Sequence, residues 1–344
     1  MGCAMRRLTS SVVAGLLLAV ASTTQGTAPA AAAGGSIVFG AAQAAYAGAT
    51  SQQAVTNLES SIGRTAGSAS GPLAVIRIYD NWDSAFPNSY TDWLKATGHT
   101  VFLSVKARHA NGSPVSWASI ANSQPGDAVY TGLQRWAANL KAYGSHLYFA
   151  FNHEPDIHSS AALGTPAQFI AAWKKVRAVL TASGVTNAEY AWTVAESNFF
   201  VAPTDSRYAP QFYPGDAYVD DIAVDAYNMY CLRKDGHYQK PWMSLQQVLA
   251  PLMTFAQAHP GPGLIMAEFG TPEDAKLAGR KAQWFADAQQ LLKQPAYTRF
   301  KAALYWNQKS SNFADCDFRV NTSSSSLAAF TAMANDPYFS ARAS

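Results

Sequence analysis

Apolar residues along this chain follow two alternating rhythms. Short runs rich in Val, Ile, Phe, Tyr and Ala read as strands: "SIVFGAAQ" (36–43), "AVIRIYD" (74–80), "TVFLSVK" (100–106), "HLYFAFN" (146–152), "AEYAWTV" (188–194), "VDDIAVDAYN" (219–228), "GLIMAEFG" (263–270) and "FKAALYWNQ" (300–308). Between them lie stretches with helical spacing. "SQQAVTNLESSI" follows the first strand, "AVYTGLQRWAANLKAY" the third and "PAQFIAAWKKVRAVLTAS" the fourth, with Thr165 and Pro166 as a start signal. "SLQQVLAPLMTFAQAH", "KAQWFADAQQLLKQ" and "SLAAFTAMAN" come later, while the helices after strands two and five are short or hard to see. No linker or short repeat divides the chain. Eight strands, mostly followed by helices, predict an α/β fold, a (β/α)8 barrel forming one domain over residues 34–344. Near-continuous apolar strands suit a parallel sheet buried on both faces. A doubly wound open sheet is the rival, weakened by the strand count and by the lack of a glycine-rich nucleotide-binding turn.

The first 33 residues differ in character. Arg6 and Arg7 precede the apolar run "VVAGLLLAVA", and "PAAAA" closes it, the layout of a secretory signal cleaved near Ala33. The run is short for a bilayer span, so the mature form is expected without a membrane segment, extracellular and monomeric. The net charge of +3 includes two leader arginines and no leader acid, so about +1 remains. A nearly neutral chain with 14% charged and 12% aromatic residues argues against nucleic acid as a partner and fits a neutral ligand. Cys231 and Cys316 remain after processing, and the export context favours a disulfide over two free thiols. No Cys/His cluster has zinc spacing, so no metal is expected.

The chemistry-bearing residues sit where strands stop. "FNHEPD" (151–156) places His153 and Glu154 at the end of strand four, and Glu268 ends the apolar run of strand seven. In a barrel these ends line the mouth where βα-loops build active sites. Strands four and seven are three places apart around eight, so their ends face each other. A carboxyl pair so placed can cleave a glycosidic bond, one protonating the leaving oxygen and the other attacking the sugar or activating water. Either glutamate alone could equally be a salt-bridge or capping group; the pair at matched strand ends points to catalysis. Asp80 and Asp156 read as solvated loop residues, and Asp225 as an orienting group.

At these residues the chain resembles glycoside hydrolase family 26, β-mannanases and related endo-glycanases on a retaining (β/α)8 scaffold. "HEPD" and "AEFG" carry the likeness, and "FYPGDAYVDDIAVDAYN" (212–228) is its most specific match; "YAWTV" and "ALYWNQ" fall in matching places. The resemblance runs from about residue 70 to 310. It implies Glu154 as acid/base, Glu268 as nucleophile and His153 beside the cleaved bond. It further implies that Tyr227 donates its hydroxyl to Glu268, Asp225 supports substrate binding and Trp306 forms a stacking floor. Arg77, inside strand two, would either act on Glu268 or form a core ion pair. Trp82, in the loop "YDNWDS", is expected to offer a second stacking surface, whereas Trp192, Phe199 and Tyr230 read as packing residues.

Two stretches depart from the family pattern. "PDIHSS" follows Glu154 without tryptophan, and "VKARHANG" stands where Trp-His is common, leaving His109 as a substitute. Both fall in the expected cleft and bear on which polysaccharide is taken. The expectation is a secreted retaining hydrolase without metal or organic cofactor, acting on β-mannan first and on β-glucan or xylan second. A carbohydrate-binding barrel without turnover and a bare cell-wall scaffold are the alternatives. A disulfide between Cys231 and Cys316 would tie two loops over the mouth.

Overall fold

Each predicted strand forms, and the eight close on themselves in sequence order. They are β1 (Val38–Ala42), β2 (Val75–Asp80), β3 (Thr100–Val105), β4 (Leu147–Phe151), β5 (Ala188–Ala195), β6 (Asp221–Tyr227), β7 (Gly263–Gly270) and β8 (Phe300–Trp306). Every neighbouring pair is parallel, including β1 with β8. The protein is therefore a closed (β/α)8 barrel. This computed structural model describes residues 36–43, 45, 48–232, 237–310 and 316–343; the leader expected over residues 1–33 lies outside them. No helix among the described residues is long and apolar enough to cross a membrane.

The outer ring holds α1 (Ser51–Ser61), α2 (Ser89–Ala96), α3 (Trp117–Asn122), α4 (Ala128–Tyr143), α5 (Pro166–Ala182), α6 (Leu245–Ala258), α7 (Arg280–Leu292) and α8 (Ser324–Asn335). α5 starts as its sequence demands. Thr165 Oγ1 accepts from the Gln168 amide at 3.3 Å, and Gln168 Oε1 accepts from the Thr165 amide at 2.9 Å, with Pro166 opening the first turn. After β5 the residues before β6 form only short 3-10 turns, at Glu196–Phe199, Ala209–Phe212 and Asp216–Tyr218, so no helical period was there to read. α3 is a six-residue helix, too short for periodicity to announce.

Strand alternation divides the core in two. Ile76, Ile78, Val224, Ala226 and Met266 face the helices, where Trp117, Trp136, Trp173 and Trp192 fill the outer layer. The inner set is small: Ala150, Ala191, Ala223, Ala267 and Ala302 surround the stacked rings of Phe102 and Tyr148. At the lower end Lys301 meets Asp221 at 2.7 Å and also bonds Glu189, which holds His146 at 3.0 Å. The small inner residues leave room nearer the mouth for larger polar groups on alternate positions of β2 and β6.

Trp82 belongs to this packing and not to the cleft. It is 4% exposed, and its carbonyl accepts from Trp136 Nε1 at 2.8 Å and from Arg135. Its indole lies so close to Gly132 that a Cβ there would meet Nε1 at 2.6 Å. The loop folds inward because the α4 face needs that ring, which corrects the stacking role expected for it.

One inner glycine has no alternative. A Cβ on Gly40 would stand 1.9 Å from the Val75 carbonyl oxygen, a backbone atom held in the β1–β2 ladder. Gly40→Ala is therefore expected to destabilise the barrel by about 3 kcal/mol or more, because backbone cannot yield as a flexible side chain does. Urea unfolding of the variant beside the wild type measures this; an unchanged midpoint would refute it.

Candidate active site

Alternation puts Arg77 and Tyr79 of β2, and Asp225 and Tyr227 of β6, on the inner face at the mouth. Glu268 arrives there by a different route. On β7, strict alternation with Ile265 and Ala267 inside would turn Glu268 toward the helices. The register shows a bulge instead: Met266 pairs with Val224 and Glu268 with Asp225, so Ala267 has no opposite residue. A bulge of one residue re-aims the next side chain, here into the mouth.

Three donors converge on the Glu268 carboxylate. Tyr79 donates its hydroxyl to Oε1, Tyr227 donates to Oε2, and Arg77 Nη1 lies 3.1 Å from Oε1. The same guanidinium grips Asp225, with Nη1 at 2.5 Å and Nη2 at 3.3 Å from its two oxygens. Arg77 is thus both things its position allowed, a core ion pair and a partner of Glu268. Burial works against the Arg77 charge, but Asp225, Tyr79 and Glu268 outweigh it and its pKa is raised. The Asp225 and Arg77 side chains have no exposed surface, and Asp225 holds the arginine. Arg77 likewise acts through its partners. Burial raises the Tyr79 and Tyr227 phenols well above their ordinary range, so both remain donors.

Glu154 stands on strained backbone. Asn152 and Glu154 have φ of 45° and 50°, a left-handed conformation that costs a non-glycine residue roughly 1–2 kcal/mol. The strain is held by tertiary bonds. The Asn152 amide donates to Val105 at 2.7 Å and its Oδ1 accepts from Ala107 at 3.0 Å, while the Glu154 amide donates to Thr193 at 2.9 Å. Ser160 Oγ donates to the Glu154 carbonyl at 3.0 Å. Burial pushes the Glu154 carboxyl well above the usual range, reinforced by Asp225, Glu268 and Asp156 and opposed by Arg77. His153 packs edge-on against Tyr79, with centroids 5.4 Å apart. Burial and the charges of Arg77 and Lys106 lower its pKa, leaving a neutral ring.

Asp156 is not solvated as its loop position suggested. It is 1% exposed, accepting from the Ala195 amide and Asn198 Nδ2, both at 3.2 Å, so it fastens the β4 loop to the β5 loop. Asp80 is also drawn inward, with Oδ2 enclosed and unpartnered; burial pushes its carboxyl up to about 6, against a bond from Ser84.

Glu154, Glu268, Asp225, Tyr227 and Trp306 line one cavity of about 350 Å³. Trp306 also borders a second, of about 360 Å³, toward Tyr79, Asp80 and Tyr90. Glu154 borders a third, of about 280 Å³, toward Lys106, Arg108 and His153. Trp306 meets Tyr227 edge-on at 5.8 Å and Phe318 at 5.5 Å, which fixes its ring. Cys231 and Cys316 are joined, and with Phe318 they pack against Tyr227 and Trp306. His109 pairs with Asp83 at 3.3 Å and borders none of these cavities. Trp192 is fully buried, as expected. Among the described residues no group of three or more His, Cys, Asp or Glu is placed to hold a metal ion.

Sequence reasoning missed Tyr79 and Glu196. Tyr79 had a signal, since it stands two residues beyond Arg77 and shares its face. Glu196 follows β5 where a polar residue reads as loop.

This is the fold of glycoside hydrolase family 26 barrels, and solved structures of that class superpose on it. The catalytic domain of a Bacillus sp. JAMB-750 family 26 endo-β-1,4-mannanase matches with a TM-score of 0.58 and 17% identity, covering 88% of this chain and 86% of its own. A modular endo-β-1,4-mannanase from Cellulomonas fimi matches with a TM-score of 0.59 and 20% identity, covering 88% and 71%. By sequence, endoglucanase H of Acetivibrio thermocellus is 26% identical over 266 residues, 75% of this chain but only 27% of that protein's length. No protein-family model matches the chain.

The raised carboxyls carry a stability consequence. Burial pushes Asp156 up to about 7 and Glu196 up to about 9, and Glu154 is raised as well. Unfolded carboxyls lose their protons near pH 4, so above that the folded state binds more protons than the unfolded one. The stabilisation is complete below the unfolded pKa and is lost as pH rises through the folded values. The melting temperature is expected to fall between pH 5 and 9, and Glu196→Gln to flatten the decline above pH 7. Calorimetric scans across that range test it, and a melting temperature rising with pH would contradict it.

Proposed function

We propose that this protein is an exported retaining glycoside hydrolase that cleaves internal β-linkages of a polysaccharide, with Glu154 as acid/base and Glu268 as nucleophile. The observation that carries the proposal is that both glutamates line one cavity with Trp306, while Glu268 alone is gripped by Arg77, Tyr79 and Tyr227. Two carboxyls with divergent environments divide the labour. Glu154, kept protonated by burial, gives its proton to the leaving oxygen as the bond to C1 breaks. Glu268 attacks C1 from the opposite face and forms a glycosyl ester. Glu154, now a carboxylate, takes a proton from the incoming water, which displaces Glu268 and regenerates both groups. Trp306 offers an indole face on which the CH-rich side of a pyranose stacks. His153, neutral beside Tyr79, contacts the sugar next to the cleaved bond. Export rests on the leader pattern of residues 1–33 and is supported by the joined cysteines.

β-Mannan is the first substrate on the motif resemblance and on the names of the similar barrels. β-Glucan is the second reading. It is favoured by the endoglucanase relative and by a loop after Glu154 that lacks tryptophan.

The test is a reducing-end assay on β-mannan, mixed-linkage β-glucan and xylan, beside Glu154→Ala and Glu268→Ala. Each variant is expected to lose about 100-fold or more in kcat on the substrate that wild type cleaves. Tyr79→Phe is expected to lose about tenfold, because a phenol that aims the nucleophile is removed. Activity should fall on the basic side as Glu154 loses its proton. NMR of the first-formed product should show a β-anomer. Binding of glycans without turnover, unchanged by these substitutions, would replace the hydrolase with a binding barrel.

A further inference from the structure

Besides Glu154, Glu268 and the arginine-bound Asp225, the main cavity contains a further carboxyl that the reaction does not use. Glu196 opens the 3-10 turn after β5 and lines the same cavity as Glu154 and Glu268. It is 4% exposed, and its Oε1 is enclosed with no hydrogen-bond partner. A buried polar atom without a partner costs roughly 1–3 kcal/mol, and at a cavity wall a ligand can supply the missing bond. Burial is the main influence on this carboxyl, with Lys240, which lines the same cavity, pulling the other way.

Its position is fixed relative to the chemistry. The Glu154 amide donates to Thr193, three residues before Glu196, so the acid and this further carboxyl are carried by paired strand ends. Asp156 then pins Ala195 and Asn198, on either side of Glu196, to the Glu154 loop. Glu268 and Trp306 lie on the opposite strands, β7 and β8. The sugar attacked by Glu268 rests over Trp306, and the departing sugar must lie on the side of the acid that protonates it. That side is walled by Ile157, Ala195, Glu196 and Ser197.

We infer that Glu196 is a specificity-determining residue that hydrogen-bonds hydroxyls of the leaving-group sugar, and of any sugar that later enters that position as an acceptor. A carboxyl has the right valence for this: protonated, it donates once and accepts with its remaining lone pairs, matching a pair of neighbouring hydroxyls. The inference rests on the retaining reading, since only a covalent glycosyl intermediate can be intercepted by an acceptor. In that step the acceptor hydroxyl attacks C1, the ester bond to Glu268 breaks, and the acceptor's proton passes to Glu154.

The test compares wild type with Glu196→Ala and Glu196→Gln on two probes. One is the soluble β-glycan that wild type cleaves; the other is an aryl β-glycoside of the same sugar, whose leaving group is a phenol. Glu196→Ala is expected to raise KM for the glycan about tenfold, the scale of one or two lost hydrogen bonds, and to lower transfer to an added oligosaccharide acceptor relative to hydrolysis by a similar factor. The loss on the aryl glycoside should be several-fold smaller. Glu196→Gln, which keeps one donor and one acceptor, should recover most of the glycan activity. The melting temperature of Glu196→Ala should stay level or rise, since an unpaired buried carboxyl is removed. Equal losses on both probes with a lowered melting temperature would make Glu196 structural and overturn the inference, as would unchanged KM and transfer ratio. If Glu196→Ala fails to fold, Glu196→Asp withdraws the carboxyl by one methylene and gives the same readouts. A wild type inert on every glycan and aryl glycoside would sink the hydrolase reading itself, a result separate from either outcome at Glu196.

Discussion

A single buried guanidinium organises the mouth of this barrel. Arg77 lies between Asp225 and Glu268, on β2, β6 and β7, and has no exposed side-chain surface. A charge removed from water is costly unless it is paired and hydrogen-bonded. Here it is paired twice, and its planar face lies over the Phe102 ring at 5.1 Å and beside Tyr79 at 5.0 Å. The inner alanines of the barrel make the space it fills. Asp225 and Arg77 are thus best understood as one unit whose output is the position of the Glu268 carboxylate.

The two glutamates reach the mouth by opposite kinds of irregularity. Glu268 is turned inward by an extra residue in an otherwise regular strand. Glu154 is held on left-handed backbone just past a strand's end, where neighbouring strands β3 and β5 supply the bonds that keep it there. Neither placement follows from ideal barrel geometry. Each concentrates a local cost at the point where a charged group must be aimed, and the surrounding sheet provides the rigidity that such costs require.

This explains what was legible in the sequence. The strands were legible because their apolar runs are bounded and numerous, and strand ends identified Glu154 and Glu268. Arg77 and Asp225 stood out as charges inside apolar strands. Tyr79 did not, since tyrosine is at home in any strand; only its spacing from Arg77 marked it. Reading failed in the loops. Trp82 and Asp156 both looked exposed, because polar and turn-forming neighbours suggest solvent. In the folded chain the loops after β2 and β4 pack on α4 and on the β5 turn, contacts between segments with no shared periodicity. Chain order cannot announce a contact of that kind; only the closed barrel brings those segments together.

Stability and function oppose each other at the mouth of the barrel. Glu154, with its raised carboxyl on left-handed backbone, and Glu196, with its unpartnered oxygen, line one cavity. The lower end of the barrel shows the contrary habit, with Lys301, Asp221, Glu189 and His146 linked to one another. Both ends are polar, and buried atoms without partners occur at each, His146 Nδ1 at the base and Asp80 Oδ2, His153 Nδ1 and Glu196 Oε1 at the mouth. The base uses its ion pairs for packing, whereas at the mouth the carboxyls of Glu154 and Glu268 converge where barrel active sites form. The second cavity, beside Tyr90 and Asp80, is as large as the first, yet the convergence of carboxyls marks the one between Glu154 and Glu268.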